Sequence, residues 1–299
     1  MRLLSLVVTL GLVACNKATS TSAHNEPAPT TIAVGRDAAT LPSPPALRTS
    51  ARHVKSIAEA LRITIDDTTE IIGFGELHER IGHTSSQSAL GQFTQYVLPL
   101  LAADTAYLVV ETWSPPTACG QAAQQVTRSI ETAVQRPVAT KSQVAELADA
   151  ARAAGITPVA MNFACADYAA LRAAASKSSD DQIITMLDLT TRELAAQTNA
   201  AWTKRSTSTR RRILVYGGGL HNDRQPVAGL IQWSFAAALT PAAKAHYVEI
   251  DWYPRGLAYL DPTVIKTGRL PPATDSPDQV WVIPQGERSF LILLPDAPK

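Results

Sequence analysis

Four short stretches of this sequence carry residues able to do acid–base or metal chemistry. Glu76 and His78 stand two apart in Gly75-Glu76-Leu77-His78, so on extended backbone they point the same way. A carboxylate beside an imidazole orients the ring and raises its basicity, or shares a metal with it. Glu111 directly follows the apolar run Ala106-Tyr107-Leu108-Val109-Val110. A carboxylate there is costly unless it is paired or faces a polar cavity. Asn162 follows another apolar run and offers both donors and acceptors. His221 comes after Gly217-Gly218-Gly219 and two residues before Asp223. These spacings make Glu76, His78, Glu111 and His221 the candidate catalytic residues. Glu76, His78 and His221 could also hold a metal, with Asn162, Asp223 and His83 contacting a ligand at its mouth.

Each of these residues lies where an apolar strand gives out. Strands are expected at 71–75, 106–110, 156–161 and 213–216, the last ended by the three glycines. Later strands are expected at 247–252, 280–283 and 290–294, the last two as a hairpin around Gln285-Gly286-Glu287. Helical spacing marks 51–64, then a helix capped by Thr84 or Ser85 with Phe93, Val97, Leu100 and Leu101 as its stripe. Further helices are expected at 142–154, stopped by Gly155, at 167–203 in two pieces, and at 227–239. Pro158 lacks a ladder donor and belongs near a strand start or on an edge. Pro115-Pro116 opens a stretch, 112–141, read as a specificity loop without a recognisable code. Short apolar strands alternating with helices predict an α/β fold. Its central, mostly parallel sheet is flanked by helices on both faces, with a late C-terminal β-hairpin. Ligands of such sheets bind at the carboxyl ends of the strands, where all four stretches fall.

The chain has 299 residues and a formal net charge of +1, too balanced for an electrostatic nucleic-acid binder. Residues 1–14 read as a signal peptide: Met1-Arg2, then an apolar run too short to span a bilayer. The run ends in Leu12-Val13-Ala14-Cys15, which resembles a bacterial lipobox with Cys15 as the lipidated residue. Residues 15–50 are rich in Pro, Ser, Thr and Ala and read as a tether, leaving 51–299 as a single domain. The expected location is the bacterial cell envelope, lipid-anchored, in the outer membrane or facing the periplasm. Of the three cysteines, Cys119 and Cys165 remain, both beside strand ends, close enough in principle to pair. The alternative is two free buried thiols. No G-x-S-x-G nucleophile elbow and no phosphate-binding glycine loop is present. The basic run around Arg210-Arg211-Arg212 reads as a solvated helix end and loop.

Taken together, Gly75-Glu76-Leu77-His78 with His83, Glu111 in LVVETW, Asn162 in VAMNF and His221 in LVYGGGLHND resemble a known family. It is the ChaN-like haem-binding uptake family of the erythromycin-esterase/TIKI-type superfamily, and the likeness runs over roughly residues 65–225. It implies an α/β sandwich whose pocket is lined by Glu76, His78, Glu111, Asn162 and His221. Many such proteins are lipoproteins, in keeping with Cys15. One departure is Glu79-Arg80, where the family often has an Asp after the motif His. Three functions follow as expectations. The first is an envelope lipoprotein that binds haem or iron for uptake. The second is a hydrolase of the esterase or peptidase class, using His and Glu with or without a divalent Mn, Zn or Co ion. The third is a non-catalytic envelope scaffold. The expected partners are the membrane, through the lipid, and a small-molecule ligand or haem.

Overall fold

A computed structural model describes residues 51–82, 87–113, 117–260, 264, 270–271 and 279–295. Cys15, the signal segment, the tether, His83, Thr84 and Ser85 lie outside the described residues.

The elements run in this order. Strand β1 is Arg52–Val54, helix α1 Ile57–Thr64 and strand β2 Ile71–Glu76. Helix α2 begins at Ala89–Gln92 and passes through a π-turn at Phe93–Val97 into Leu98–Leu101. Strand β3 is Thr105–Val110, helix α3 Gly120–Val134, helix α4 Ala139–Ala153 and strand β4 Thr157–Ala160. Helix α5 is Cys165–Ala175, helix α6 Ser179–Lys204 and strand β5 Arg212–Gly218. Then come the single turn α7 Gly219–Asn222, helix α8 Pro241–Ala245, strand β6 Tyr247–Pro254 and the turn α9 Arg255–Ala258. The hairpin of β7, Val280–Gly286, and β8, Ser289–Leu294, follows. The sheet has eight strands in the order β1-β7-β8-β6-β2-β5-β3-β4. From β8 to β4 every pairing is parallel, and β1 and β7 add antiparallel pairs at one edge.

The parallel strands are near-continuous apolar runs because both of their faces are covered. Ile72, Phe74, Leu108, Val110, Leu214 and Val248 are buried on one face against Phe93, Val97, Leu98 and Leu147. Ile71, Val109, Ile213 and Val215 are buried on the other against Leu171, Leu194 and Phe235. Burying a side chain of this size stabilises by about 1.5–3 kcal/mol. The two layers therefore hold the sheet rigid under whatever its strand ends carry.

The α/β architecture, the parallel sheet and the C-terminal hairpin are as expected. So are the two-piece helix of 167–203, Gly155 as the stop after α4 at positive φ, and Pro158 on the edge strand β4. Five local readings need correction. Residues 52–54 are a strand, because they pair with β7, a partner far away in sequence. Helix α2 starts at Ala89, where the Ser88 Oγ accepts from the Gly91 N–H. The stretch 227–239 is turns with a 3-10 piece at Ile231–Trp233. There the Phe235 N–H bonds to the His221 carbonyl, a tertiary partner that helical spacing cannot reveal. Within 112–141 lies the amphipathic helix α3, with Ala123, Val126 and Ile130 buried. Strand β5 runs through Gly217 and Gly218 rather than ending before them.

Candidate active site

The three central strands β2, β5 and β3 end side by side, and their ends carry the polar residues. Glu76 is the last residue of β2, in register with Gly218 of β5. Glu111 follows β3, its N–H bonded to the Tyr216 carbonyl of β5. The glycines of β5 make room for both neighbours. A Cβ on Gly217 would lie 2.7 Å from Glu111 Oε2, and one on Gly218 would lie 2.8 Å from His78 Nε2. The glycines of β2 admit a different neighbour. A Cβ on Gly73 or Gly75 would strike Asn222 or Gly219, so it is the turn α7, which carries His221, that they let approach. The Asn222 side chain donates to the Gly73 carbonyl at 3.0 Å and pins that turn.

Glu76, His78, Glu111, Tyr216 and Arg136 line one small pocket, closed by Leu90, Val110, Val144 and Gly217. Its free space is about that of a single water molecule. His78 Nδ1 is 2.6 Å from Glu76 Oε1, and the Tyr216 hydroxyl donates to Glu76 Oε2 at 2.6 Å. Thus the Glu76 carboxylate accepts on both oxygens, His78 donates its Nδ1–H to it, and the ring lone pair is left on Nε2. That Nε2 lies 3.8 Å from Glu111 Oε1, while the Gly218 N–H donates to Glu111 Oε2 at 2.7 Å. Arg136 was not foreseen from the sequence. Its Nη2 lies 3.0 and 2.5 Å from the two ring nitrogens of His78 and 3.6 Å from Glu111 Oε1. A donor bonded along one ring lone pair points away from the other nitrogen, so this guanidinium rests against the face of the imidazole. No local pattern announces Arg136: it stands in the link between α3 and α4, just after Gln135 at φ 53°.

His221 is 4% exposed. Its Nδ1 is 2.9 Å from the Trp233 carbonyl, with Thr191 Oγ1 at 3.0 Å. The carbonyl fixes the proton on Nδ1, and Nε2 makes no hydrogen bond among the described residues. Burial pushes the His221 pKa down, against the pull of Glu111, so the ring is neutral at pH 7. Burial would push Glu111 up. The charges of His221, His78 and Arg136 and the Gly218 N–H outweigh it and hold this carboxyl at about 2. With His221 neutral, the fixed positive charge facing Glu111 is that of Arg136. Glu76 is likewise held low against its burial, by the His78 hydrogen bond, the charges of His78 and Arg136, and the Tyr216 hydroxyl.

His221 is not among the residues that line the pocket, and two more expected site residues stand apart from this cluster. Asn162 is exposed, and its backbone N–H donates to Glu193 Oε2 at 3.3 Å. Asp223 Oδ1 accepts from the Gln225 N–H at 2.7 Å, and its charge acts on Glu249 and Asp251 of β6. The cysteines meet: Cys119 and Cys165 have their sulfurs at bonding distance, 2.03 Å, and Cα atoms 5.1 Å apart. They join the start of α3 to the start of α5, beside the stacked rings of Trp113 and Phe163.

No protein-family profile matches this chain, and neither does any curated protein or solved structure. The ChaN-like resemblance therefore rests on its short motifs alone. A haem does not fit the pocket, whose free space is that of one water and whose walls carry three charged groups. His78, His221 and Glu111 supply donors of the right chemistry for a divalent ion, each imidazole backed through Nδ1 as metal-bound histidines are. As the side chains stand, however, no three His, Cys, Asp or Glu among the described residues are grouped to hold one. Among the described residues no helix is long and apolar enough to cross a membrane.

Proposed function

We propose that this domain is a hydrolase of esters or amides, and that His78 is its general base. The observation that carries this reading is the Glu76–His78 pair: the carboxylate accepts the Nδ1–H at 2.6 Å and leaves Nε2, 3.8 Å from Glu111 Oε1, in a pocket with room for one water. A water there gives its proton to His78 Nε2 while its oxygen attacks the substrate carbonyl carbon. The carbon–oxygen or carbon–nitrogen bond to the leaving group then breaks, and the same proton passes from His78 to that group. Glu111, ionised beside Arg136, orients the water and the imidazole. We place the domain in the bacterial envelope, tethered by a lipid on Cys15, a setting in which a Cys119–Cys165 disulfide persists.

The test is an assay of the soluble chain from residue 46 onward against chromogenic esters and short peptides. It is run as purified, after chelation, and with added Mn, Zn or Co. Turnover that survives chelation supports the metal-free route above. Turnover that requires an added ion keeps the hydrolase and moves water activation to the metal. No turnover in any condition, with haem bound in a saturable visible spectrum, would replace this reading by the uptake role. Neither signal would leave an envelope scaffold.

A further inference from the structure

We infer that Arg136 is the specificity residue of this site and receives a carboxylate that the substrate carries next to its scissile bond. The inference rests on the hydrolase reading for the location of the reaction and on independent geometry for the ligand. Arg136 is the one cation lining the pocket among the described residues, and its side chain is 24% exposed. Only its Nη2 is engaged, on the face of His78 and at 3.6 Å from Glu111. Its Nε and Nη1 make no hydrogen bond among the described residues. A guanidinium is a planar fork that pairs with carboxylates through two parallel bonds. Here the two resident carboxylates are met by other donors: Glu76 by Tyr216 and His78, Glu111 by the Gly218 N–H. Both two-bond edges of the fork include Nη2, so a ligand carboxylate must draw Nη2 off the face of His78 and take Nε or Nη1 as its second donor.

The backbone that presents it is built at a cost. Gln135 holds a left-handed conformation, φ 53°, without being glycine, a strain of about 1 kcal/mol or more. The Ile81 N–H holds the Gln135 carbonyl at 2.9 Å and ties this link to the turn that carries His78. The same two segments expose Ile81, 67% accessible, and Val138, 88% accessible and two residues after Arg136. A cation on segments that also expose apolar side chains fits an acid that also has an apolar group. Because Nη2 lies so near both His78 and Glu111, the carboxylate it binds is within a few bonds of the reacting carbon. The C-terminal residue of an apolar peptide, or the ester of an apolar 2-hydroxy acid, has this chemistry. On binding, the carboxylate takes Arg136 off the imidazole and opens the space the carbonyl needs.

The experiment compares two esters on the whole soluble chain: N-benzoylglycyl-phenyllactate, which has a free carboxylate, and its neutral carboxamide. The wild type is expected to prefer the acid at least tenfold in kcat/KM. In Arg136→Gln that ratio falls to about one, and in Arg136→Lys, which keeps the charge but not the fork, it is intermediate. A wild type without preference, or an Arg136→Gln with the wild-type ratio, overturns the inference. If neither ester is hydrolysed, the hydrolase reading fails separately, and titration calorimetry with phenyllactate decides the rest. Binding that Arg136→Gln weakens at least tenfold, with circular dichroism unchanged, sustains the carboxylate site. Equal binding, or none, removes it.

Discussion

Two pairs of acidic residues are buried in this sheet, one at the ends of β2 and β3 and one within the neighbouring strand β6, and they are treated in opposite ways. Glu76 and Glu111, at the ends of β2 and β3, meet a hydroxyl, a backbone N–H, an imidazole and the Arg136 guanidinium, and both are held low. Glu249 and Asp251, on β6, face one another with Asp223 nearby. Burial and these like charges push Glu249 up to about 7 and Asp251 well above its ordinary value. Arg224 offers Glu249 its backbone N–H, at 2.8 Å, while its guanidinium is turned to the carbonyls of Lys244 and Tyr247. Asp251 Oδ1 has no hydrogen-bond partner among the described residues. Burial acts alike on both pairs, so partners decide the charge state. A carboxylate kept ionised beside an imidazole serves acid–base chemistry. A pair kept protonated is a cost tolerated by the scaffold.

The sharpest way to break this comparison is to remove the imidazole from one pair and a charge from the other. His78→Ala is expected to lower kcat on the order of 10²–10⁴-fold. The ring is 32% exposed, so thermal stability should change little. Asp251→Asn is expected to keep its rate within a few-fold and to unfold at a higher temperature at pH 8. Parallel assays and melts measure both. A rate loss in Asp251→Asn as large as that in His78→Ala would make the β6 pair part of the reaction and erase the distinction.

The next effect is one of pH. Glu249 binds its proton up to about pH 7 in the folded chain and, unfolded, only to its ordinary 4.5. The folded state therefore holds the extra proton between these values. Its contribution is full below pH 4.5 and is lost as the pH rises through 7, roughly 3 kcal/mol in all. Glu111 has the opposite sign. Held at about 2 against an ordinary 4.5, it stabilises the fold above pH 4.5 and loses that contribution as the pH falls toward 2. Urea denaturation across pH 3 to 9 should show both limbs. Glu249→Gln should flatten the alkaline limb alone, since it also relieves the like charge on Asp251. An alkaline limb unchanged in that variant would mean that another group causes it.

Much of the fold and part of the site were legible because they follow local rules. Parallel strands announce themselves as apolar runs, and a carboxylate placed directly after one, as Glu111 is, has few reasons to be there other than a polar pocket. Glu76 and His78 were legible from their spacing of two. The missed pieces depend on partners remote in sequence. Strand β1 is defined by β7, and the path of 227–239 by contacts such as that of Phe235 with His221. Arg136 reaches the site from a helix link 58 residues beyond His78. Helix α3, which ends at that link, was hidden by its many polar residues and the prolines before it. The three glycines were legible as a feature but not in purpose. They remove side chains where Glu111 and His78 must lie, and only the neighbours tell that.

The smallest expected effect bears on how far the site extends along the strand ends. Asn162 and Asp223 sit at ends as Glu76 and Glu111 do, yet neither side chain lines the pocket. Asn162 is exposed beyond the edge strand β4, and Asp223 closes a turn onto the Gln225 N–H. Asn162→Ala should leave kcat/KM within about twofold and stability within about 0.5 kcal/mol, as surface changes do. Asp223→Ala should leave the rate equally untouched. Because its charge raises Glu249 and Asp251, it should also ease the alkaline limb by a small amount. Steady-state kinetics on the ester that the wild type prefers measure the first, and the same urea series the second. A tenfold loss of rate in Asn162→Ala would carry the substrate across to β4, past the Trp113–Phe163 stack, and make the site four strands wide instead of three.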